Sequence, residues 1–136
     1  MAQYLRDLCH ALGRAAPQTD AAVSVVVQAE PFEMATDQAL AVGLLVNELV
    51  TNALKHAFDG KPEGTITVTF RVQPDGYRRL CVADDGHGLP EGFVPEQSAG
   101  LGMKLVQSFA RSLDGDLMID SSQSGCRYTV LLPPAP

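Results

Sequence analysis

The 136-residue sequence has no tryptophan, three cysteines, and no stretch rich in lysine and arginine. A protein that held nucleic acid through phosphate contacts would carry a basic patch, and here the formal net charge is -6, so nucleic acid is excluded as the main partner. Cys9, Cys81 and Cys126 are odd in number, far apart, and include no C-x-x-C pair. That pattern fits neither a disulfide framework nor a zinc knuckle. It predicts buried thiols in a reducing cytoplasm. The longest apolar run, around Ala39 to Val46, is too short for a bilayer, so no direct membrane contact is expected. No basic segment followed by an apolar core marks a signal peptide. A cytoplasmic location is expected, either alone or as the cytoplasmic end of a membrane receptor.

What is present suits one domain over residues 1–136. The apolar fraction is 46% and the charged fraction 19%, an ordinary balance for a packed core. Leu5, Leu8 and Leu12 are spaced as on a helix from Tyr4 to Leu12, closed by Gly13 and Pro17. Val23 to Val27 reads as a strand. Thr36 is placed to cap a helix running to about His56, with Asp37 in its first turn. A loop through Asp59, Gly60, Pro62 and Gly64 precedes a strand from Thr65 to Val72. Pro74-Asp75-Gly76 turns that strand back into Arg79 to Ala83. Asp84 to Gly100 reads as a long loop, and Leu101 to Leu113 as a helix. Leu117 to Ile119 and Arg127 to Leu132 close the chain as strands around Ser124-Gly125. The simplest packing is an α+β two-layer sandwich, a mixed and mostly antiparallel sheet covered on one face by helices.

Three clusters carry chemistry. On the long helix, Glu48, Asn52, Lys55 and His56 share one stripe, opposite Val42, Val46, Leu49, Val50, Ala53 and Ala57. A carboxamide oxygen can ligate Mg²⁺, a nearby ammonium can neutralise phosphate, and a carboxylate can orient or deprotonate an attacking group. A solvated helix face with a Glu48-Asn52-Lys55 hydrogen-bond ladder fits the same stripe. Leu80 to Ala83 then runs into Asp84-Asp85-Gly86-His87-Gly88-Leu89-Pro90. Glycines there let a flat ligand approach the backbone, and a carboxylate can accept from an exocyclic amine; a plain Asp-Gly turn is the other reading. Finally, Gly100 and Gly102 stand where a helix begins, and free N–H groups there favour phosphate, although a hinge would also use glycines.

In this order and spacing, the three stretches resemble the asparagine box and the two glycine boxes of the GHKL ATPases, which include gyrase, Hsp90, histidine kinases and MutL. Asn47 to Phe58 is similar to the Asn-Glu-Leu-x-Thr-Asn-Ala-x-Lys-His-Ala-Phe string of sensor histidine kinases. The resemblance runs from about Tyr4 to Pro133. It implies the Bergerat fold and the ATP-binding catalytic domain of a bacterial sensor histidine kinase, with ATP and Mg²⁺ as cofactors. Asn52 would ligate Mg²⁺ and Lys55 would contact phosphates. Asp84 would bind adenine N6, with Gly86 and Gly88 flooring the adenine. Gly100, Leu101 and Gly102 would face the phosphates, and residues 87–99 would form a lid. Glu48 stands where the ATPase branches keep a general base, and His56 could position Glu48 or phosphate, so these two are the catalytic candidates.

The sequence departs from the family in three respects. Without tryptophan it lacks the Trp-x-Glu signature of the HWE kinases and fits the HisKA-2-like group better. Cys126 follows Gly125 where the family often has threonine. The helical hairpin bearing the phosphoacceptor histidine is not found, and His10, on the first helix, has unrelated surroundings. The expected partners are therefore that phosphoacceptor hairpin and a downstream response regulator. The isolated domain is expected to be a monomer that binds Mg-ATP but does not phosphorylate itself. A stand-alone serine kinase of the anti-sigma-factor type shares the fold and is the alternative. A degenerate docking module ranks below both, because Asp84 and the glycines are intact.

Overall fold

The computed structural model describes residues 1–14, 22–30, 33–56, 63–87, 101–122 and 124–134, with the side chains at 13, 14, 22, 56 and 101–103 outside that description. The elements are α1 (Ala2–Arg14), β1 (Ala22–Ala29), α2 (Thr36–His56), β2 (Glu63–Val72), β3 (Arg78–Asp84), α3 (Leu101–Ser112), β4 (Asp116–Ser122) and β5 (Gly125–Leu132). They form a five-stranded sheet of order β1-β2-β3-β5-β4. Only β1 and β2 pair in parallel; the other three pairings are antiparallel. The mixed, mostly antiparallel sheet read from the sequence is thus found, with three helices layered on it.

Alternation along the strands sets the two faces. Ile66, Val68 and Phe70 of β2, Leu80 and Val82 of β3, and Tyr128, Val130 and Leu132 of β5 are buried beneath the helices. α2 supplies Val42, Leu45, Val46, Leu49 and Val50, all fully buried. Each such aliphatic side chain contributes roughly 1.5–3 kcal/mol on leaving water. The core therefore lies between α2 and the middle strands, closed by α3 through Val106 and Ala110 and by α1 through Leu5 and Cys9. The opposite face of the sheet carries Thr67, Thr69, Cys81 and Ala83, half-buried at most. α1 sits against α2 where Gly43 accepts the Tyr4 ring, since any Cβ at Gly43 would overlap the Tyr4 hydroxyl.

Several boundaries differ from the sequence reading. Thr36 is not the cap of α2: the first helical bond runs from Ala39 N–H to Ala35 C=O at 2.9 Å, which puts Thr36 inside the first turn. The Asp37 carboxylate accepts from the Gln38 N–H there, at 3.0 Å. Gly64 belongs to β2 rather than to the preceding loop, because it pairs in parallel register with Val23. α1 continues past Leu12 to Arg14. Pro17 and Ala57 lie outside the described residues. The Pro74-Asp75-Gly76 turn is found: Gly76 N–H bonds Gln73 C=O at 2.9 Å with Gly76 at φ +88°. α3 ends with Asp114 in the left-handed region and Gly115 N–H bonded to Ala110 C=O at 2.8 Å, a Schellman closure.

Candidate functional site

The topology decides which ends of the elements meet. β1 and β2 pair in parallel with α2 connecting them, so α2 runs against β2 and therefore along β3, which is antiparallel to β2. Their starts lie together, where Arg78 Nη1 donates to Gln38 Oε1 at 3.4 Å. From Gln38 to Asn52 is 52 − 38 = 14 residues of helix, about 21 Å. From Arg78 to Asp84 is 84 − 78 = 6 residues of strand, about 20 Å. Asn52 and Asp84 accordingly reach the same end of the sandwich. α3 finishes at the other end, where Gly115 packs under Val130 and Leu132 of β5, so its beginning at Leu101 and Gly102 points back toward Asp84.

On α2, Glu48 and Asn52 are half-buried and Lys55 is exposed. His56 is the last residue of the helix, and its side chain lies outside the described residues. The polar stripe does face away from the core, as the helical spacing predicts, while Leu45 and Leu54 widen the apolar band beyond the residues first assigned to it. Toward the start of α2 the outward stripe continues as Leu44 and Leu40, 49% and 55% exposed, before exposed Thr36 and Asp37 in the first turn. Gly88, Gly100 and all of the lid segment except exposed His87 lie outside the described residues.

Asp84 is half-buried as the last residue of β3 rather than the first of a loop. Its Oδ1 accepts from the Gly86 N–H at 2.9 Å, an Asx turn that sets the carboxylate's orientation. Gly86 is buried. Asp85 is oriented differently: its Oδ1 accepts from Thr65 N–H at 2.8 Å, and its own N–H donates to Thr65 C=O at 3.3 Å. Across the ladder, Asp84 is opposite Cys126. Burial pushes the Cys126 thiol up, reinforced by the charges of Asp84 and Asp120 and partly offset by hydrogen bonds to Tyr128 and Ser121. Burial first, then Cys126 and the Asp84 charge, also push the Tyr128 phenol up, so both side chains stay neutral near Asp84.

A cleft of about 240 Å³ touches Asp84 from the β4–β5 side, lined by Ala83, Asp120, Ser122, Ser124, Gly125, Cys126 and Arg127. Among the described residues, none of α2 or α3 lines it. Ala83, Asp120 and Arg127 are partners in one row of the sheet, on the face away from the helices. Asp84 and Cys126, which also line it, belong to the neighbouring row that faces the helices, so the cleft wraps the end of the sheet beside Asp84. Among the described residues no three His, Cys, Asp or Glu side chains cluster to hold a metal. Two structural residues escaped the sequence reading. Gly125, at φ +144°, packs on the Asp84 carbonyl; a β-strand glycine next to a turn was the available signal. Arg78 is buried with its guanidinium on Pro133 C=O at 2.7 and 3.2 Å, and nothing in the sequence distinguishes it from Arg79.

Residues 37–136 match the family model described as histidine kinase-, DNA gyrase B-, and HSP90-like ATPase. The chain is similar to blue-light-activated histidine kinase 2 of Erythrobacter litoralis, 31% identical over 112 residues, covering 82% of this chain and 32% of that protein. It is 39% identical over 100 residues to the sensor histidine kinase PdtaS of Mycolicibacterium smegmatis, covering 72% of this chain and 20% of that one. The solved histidine kinase domain of an Erythrobacter litoralis blue-light activated histidine kinase superposes with a TM-score of 0.89 at 29% identity. That match covers 97% of this chain and 64% of the solved one. Likeness to an anti-sigma F factor of Geobacillus stearothermophilus is lower, 26% over 106 residues. The chain spans a third or less of the length of the sensor kinases it matches. No helix of the described residues is long and apolar enough to cross a membrane.

Proposed function

The chain belongs to the histidine kinase-, DNA gyrase B- and HSP90-like ATPase family, and from that premise we propose that residues 1–136 act as the single ATP-binding catalytic domain of a sensor histidine kinase. The observation that carries this reading is the meeting of three ends: the Asn52 end of α2, the close of β3 at Asp84 and the start of α3. In the proposed complex the Asp84 carboxylate, already turned by Gly86 N–H, accepts from the adenine amine; a carboxylate has acceptor capacity for both. Gly86 and Gly88 leave room for the ring. The N–H groups of Leu101 and Gly102 at the start of α3 face the phosphates, where the helix dipole favours negative charge, and Gly100, which precedes them in sequence, shares that role. Lys55, exposed one turn beyond Thr51, neutralises phosphate oxygens.

Asn52 fits the role of protein ligand to Mg²⁺. The half-buried carboxamide supplies a hard oxygen, and the lack of a three-ligand cluster among the described residues suits a cation that arrives largely on its nucleotide. Magnesium bound there would neutralise developing charge on the transferring phosphoryl group. The acceptor imidazole attacks the γ-phosphorus, the bond from that phosphorus to the β–γ bridging oxygen breaks, and ADP leaves. Glu48 orients the attacking group and His56 supports it. The acceptor histidine and the response regulator that next takes the phosphoryl group belong to other domains. Exposed His10 is not the acceptor in this reading. The three free thiols suit a reducing cytoplasm.

The test is titration of the chain with ATP in the presence and absence of Mg²⁺, followed by incubation with labelled ATP and a histidine-bearing helical hairpin from a related kinase. Saturable Mg-dependent binding and acid-labile label on the hairpin are expected. No binding at millimolar ATP would remove the proposal, and acid-stable label would replace it with serine phosphorylation.

A further inference from the structure

In a bonded antiparallel pair, two residues exchange both of their backbone hydrogen bonds. The β2–β3 register makes Thr65 and Asp85 such a pair, one step beyond Ile66 and Asp84. Gln73 and Tyr77 keep the same register at the far end, with Gln73 N–H on Tyr77 C=O at 2.7 Å. At Thr65 and Asp85 only one of the two bonds is backbone to backbone, Asp85 N–H to Thr65 C=O at 3.3 Å. The other, from Thr65 N–H, ends at 2.8 Å on the Asp85 carboxylate instead of the Asp85 carbonyl. The side chain has replaced its own backbone as acceptor.

We infer that Asp85 is a positioning residue for the nucleotide-binding end: its carboxylate closes the last rung of the β2–β3 ladder so that the chain can leave the sheet directly after Asp84. This inference rests on the reading that Asp84 meets adenine. With the Asp85 carbonyl released from the ladder, the backbone is able to turn at once into Gly86, whose N–H returns to Asp84 Oδ1 at 2.9 Å. Without the carboxylate, Thr65 N–H loses its acceptor to solvent, and the turn that orients Asp84 loses its tie to β2. The clamp also ties Asp84 to β2, the strand that follows α2, so that Asn52 and Asp84 hold their separation through one short path. Asp85 is exposed, and its replacement removes little packing.

The experiment compares Asp85→Ala, Asp85→Ser and Asp85→Asn by amide hydrogen exchange at Thr65 in the free chain, by ATP titration and by thermal unfolding. The carboxamide oxygen of the asparagine variant accepts the same bond, whereas the serine hydroxyl is too short to reach Thr65. Asp85→Ala and Asp85→Ser are expected to exchange faster at Thr65 and to bind ATP about tenfold more weakly, the size of one lost charge-assisted hydrogen bond. Asp85→Asn is expected to restore both. The inference is overturned by unchanged Thr65 exchange in Asp85→Ala, by ATP binding there within about twofold of the parent, or by an asparagine variant no better than alanine. If the unsubstituted chain does not bind ATP, the nucleotide reading fails by itself, and exchange at Thr65 still decides whether the clamp exists.

Discussion

The α-carbon of Gly125 lies against the carbonyl of Asp84, so close that a Cβ there would overlap the oxygen, and its φ of +144° is one that other residues rarely adopt. Gly125→Ala should therefore cost at least about 2 kcal/mol, from backbone strain and the shift forced on β3. It should also weaken ATP binding, because the residue displaced is Asp84. Urea unfolding beside ATP titration checks both, and a variant with normal stability and normal affinity contradicts the contact.

Asp84→Asn keeps an oxygen for the Gly86 N–H but offers a donor where an adenine amine needs an acceptor. Stability should stay within about 0.5 kcal/mol, while ATP affinity falls about tenfold or more. Calorimetric titration with ATP and with GTP reads the loss. Unchanged ATP affinity would mean that adenine is held elsewhere.

Arg78 ties the start of α2 to the end of β5 by way of Pro133 C=O and Gln38. Burial pulls its guanidinium below the usual range without another group to oppose it. Arg78→Ala is expected to destabilise by about 2–3 kcal/mol, since hydrogen bonds from a charged group are lost and the Pro133 carbonyl is left without those donors. Because this cluster sits at the opposite end from Asp84, ATP affinity measured on the folded fraction should remain within about twofold.

Burial pushes the Cys9 thiol up to about 11 and raises Cys126 as well. Both folded values lie above the unfolded thiol, near 8.5. The Cys9 contribution is therefore complete below about pH 8.5 and is lost as the pH rises toward 11, at about 1.4 kcal/mol per pH unit while that thiol is ionised only in the unfolded chain; Cys126 acts in the same direction. Urea unfolding between pH 8 and 11 should follow that slope, and Cys9→Ala should flatten it. In the native chain at neutral pH, half-buried Cys81 should alkylate before Cys9 and Cys126, as mass mapping after brief iodoacetamide treatment would reveal.

The sequence was most informative where a period or a turn dipeptide is enforced by local sterics. Leu5, Val42, Val46 and Leu49 follow helical spacing and are buried; Pro74-Asp75-Gly76 turns where expected. The turn out of β3 at Asp84 and Gly86 was legible because a strand running into Asp-Asp-Gly is uncommon. The division of labour between the two aspartates was not legible. Which carboxylate bonds Gly86 and which bonds Thr65 depends on strand register, and register is fixed by pairing partners as far as eighteen residues away. Thr36 misled for a related reason: threonine favours a cap, but the chain enters α2 one residue earlier, at Ala35. The buried state of Arg78 required the chain's end to fold over it, which no local pattern encodes.

The β2–β3 hairpin has a practical use. Its tip, Pro74 and Asp75, is exposed and closed by bonds made within the turn itself. From Asp75 to Asp84 is 84 − 75 = 9 residues, about 30 Å along a strand. A dye or spin label attached at Asp75 would ride on a rigid stem, far enough from Asp84 to leave it untouched and close enough to report distances to it.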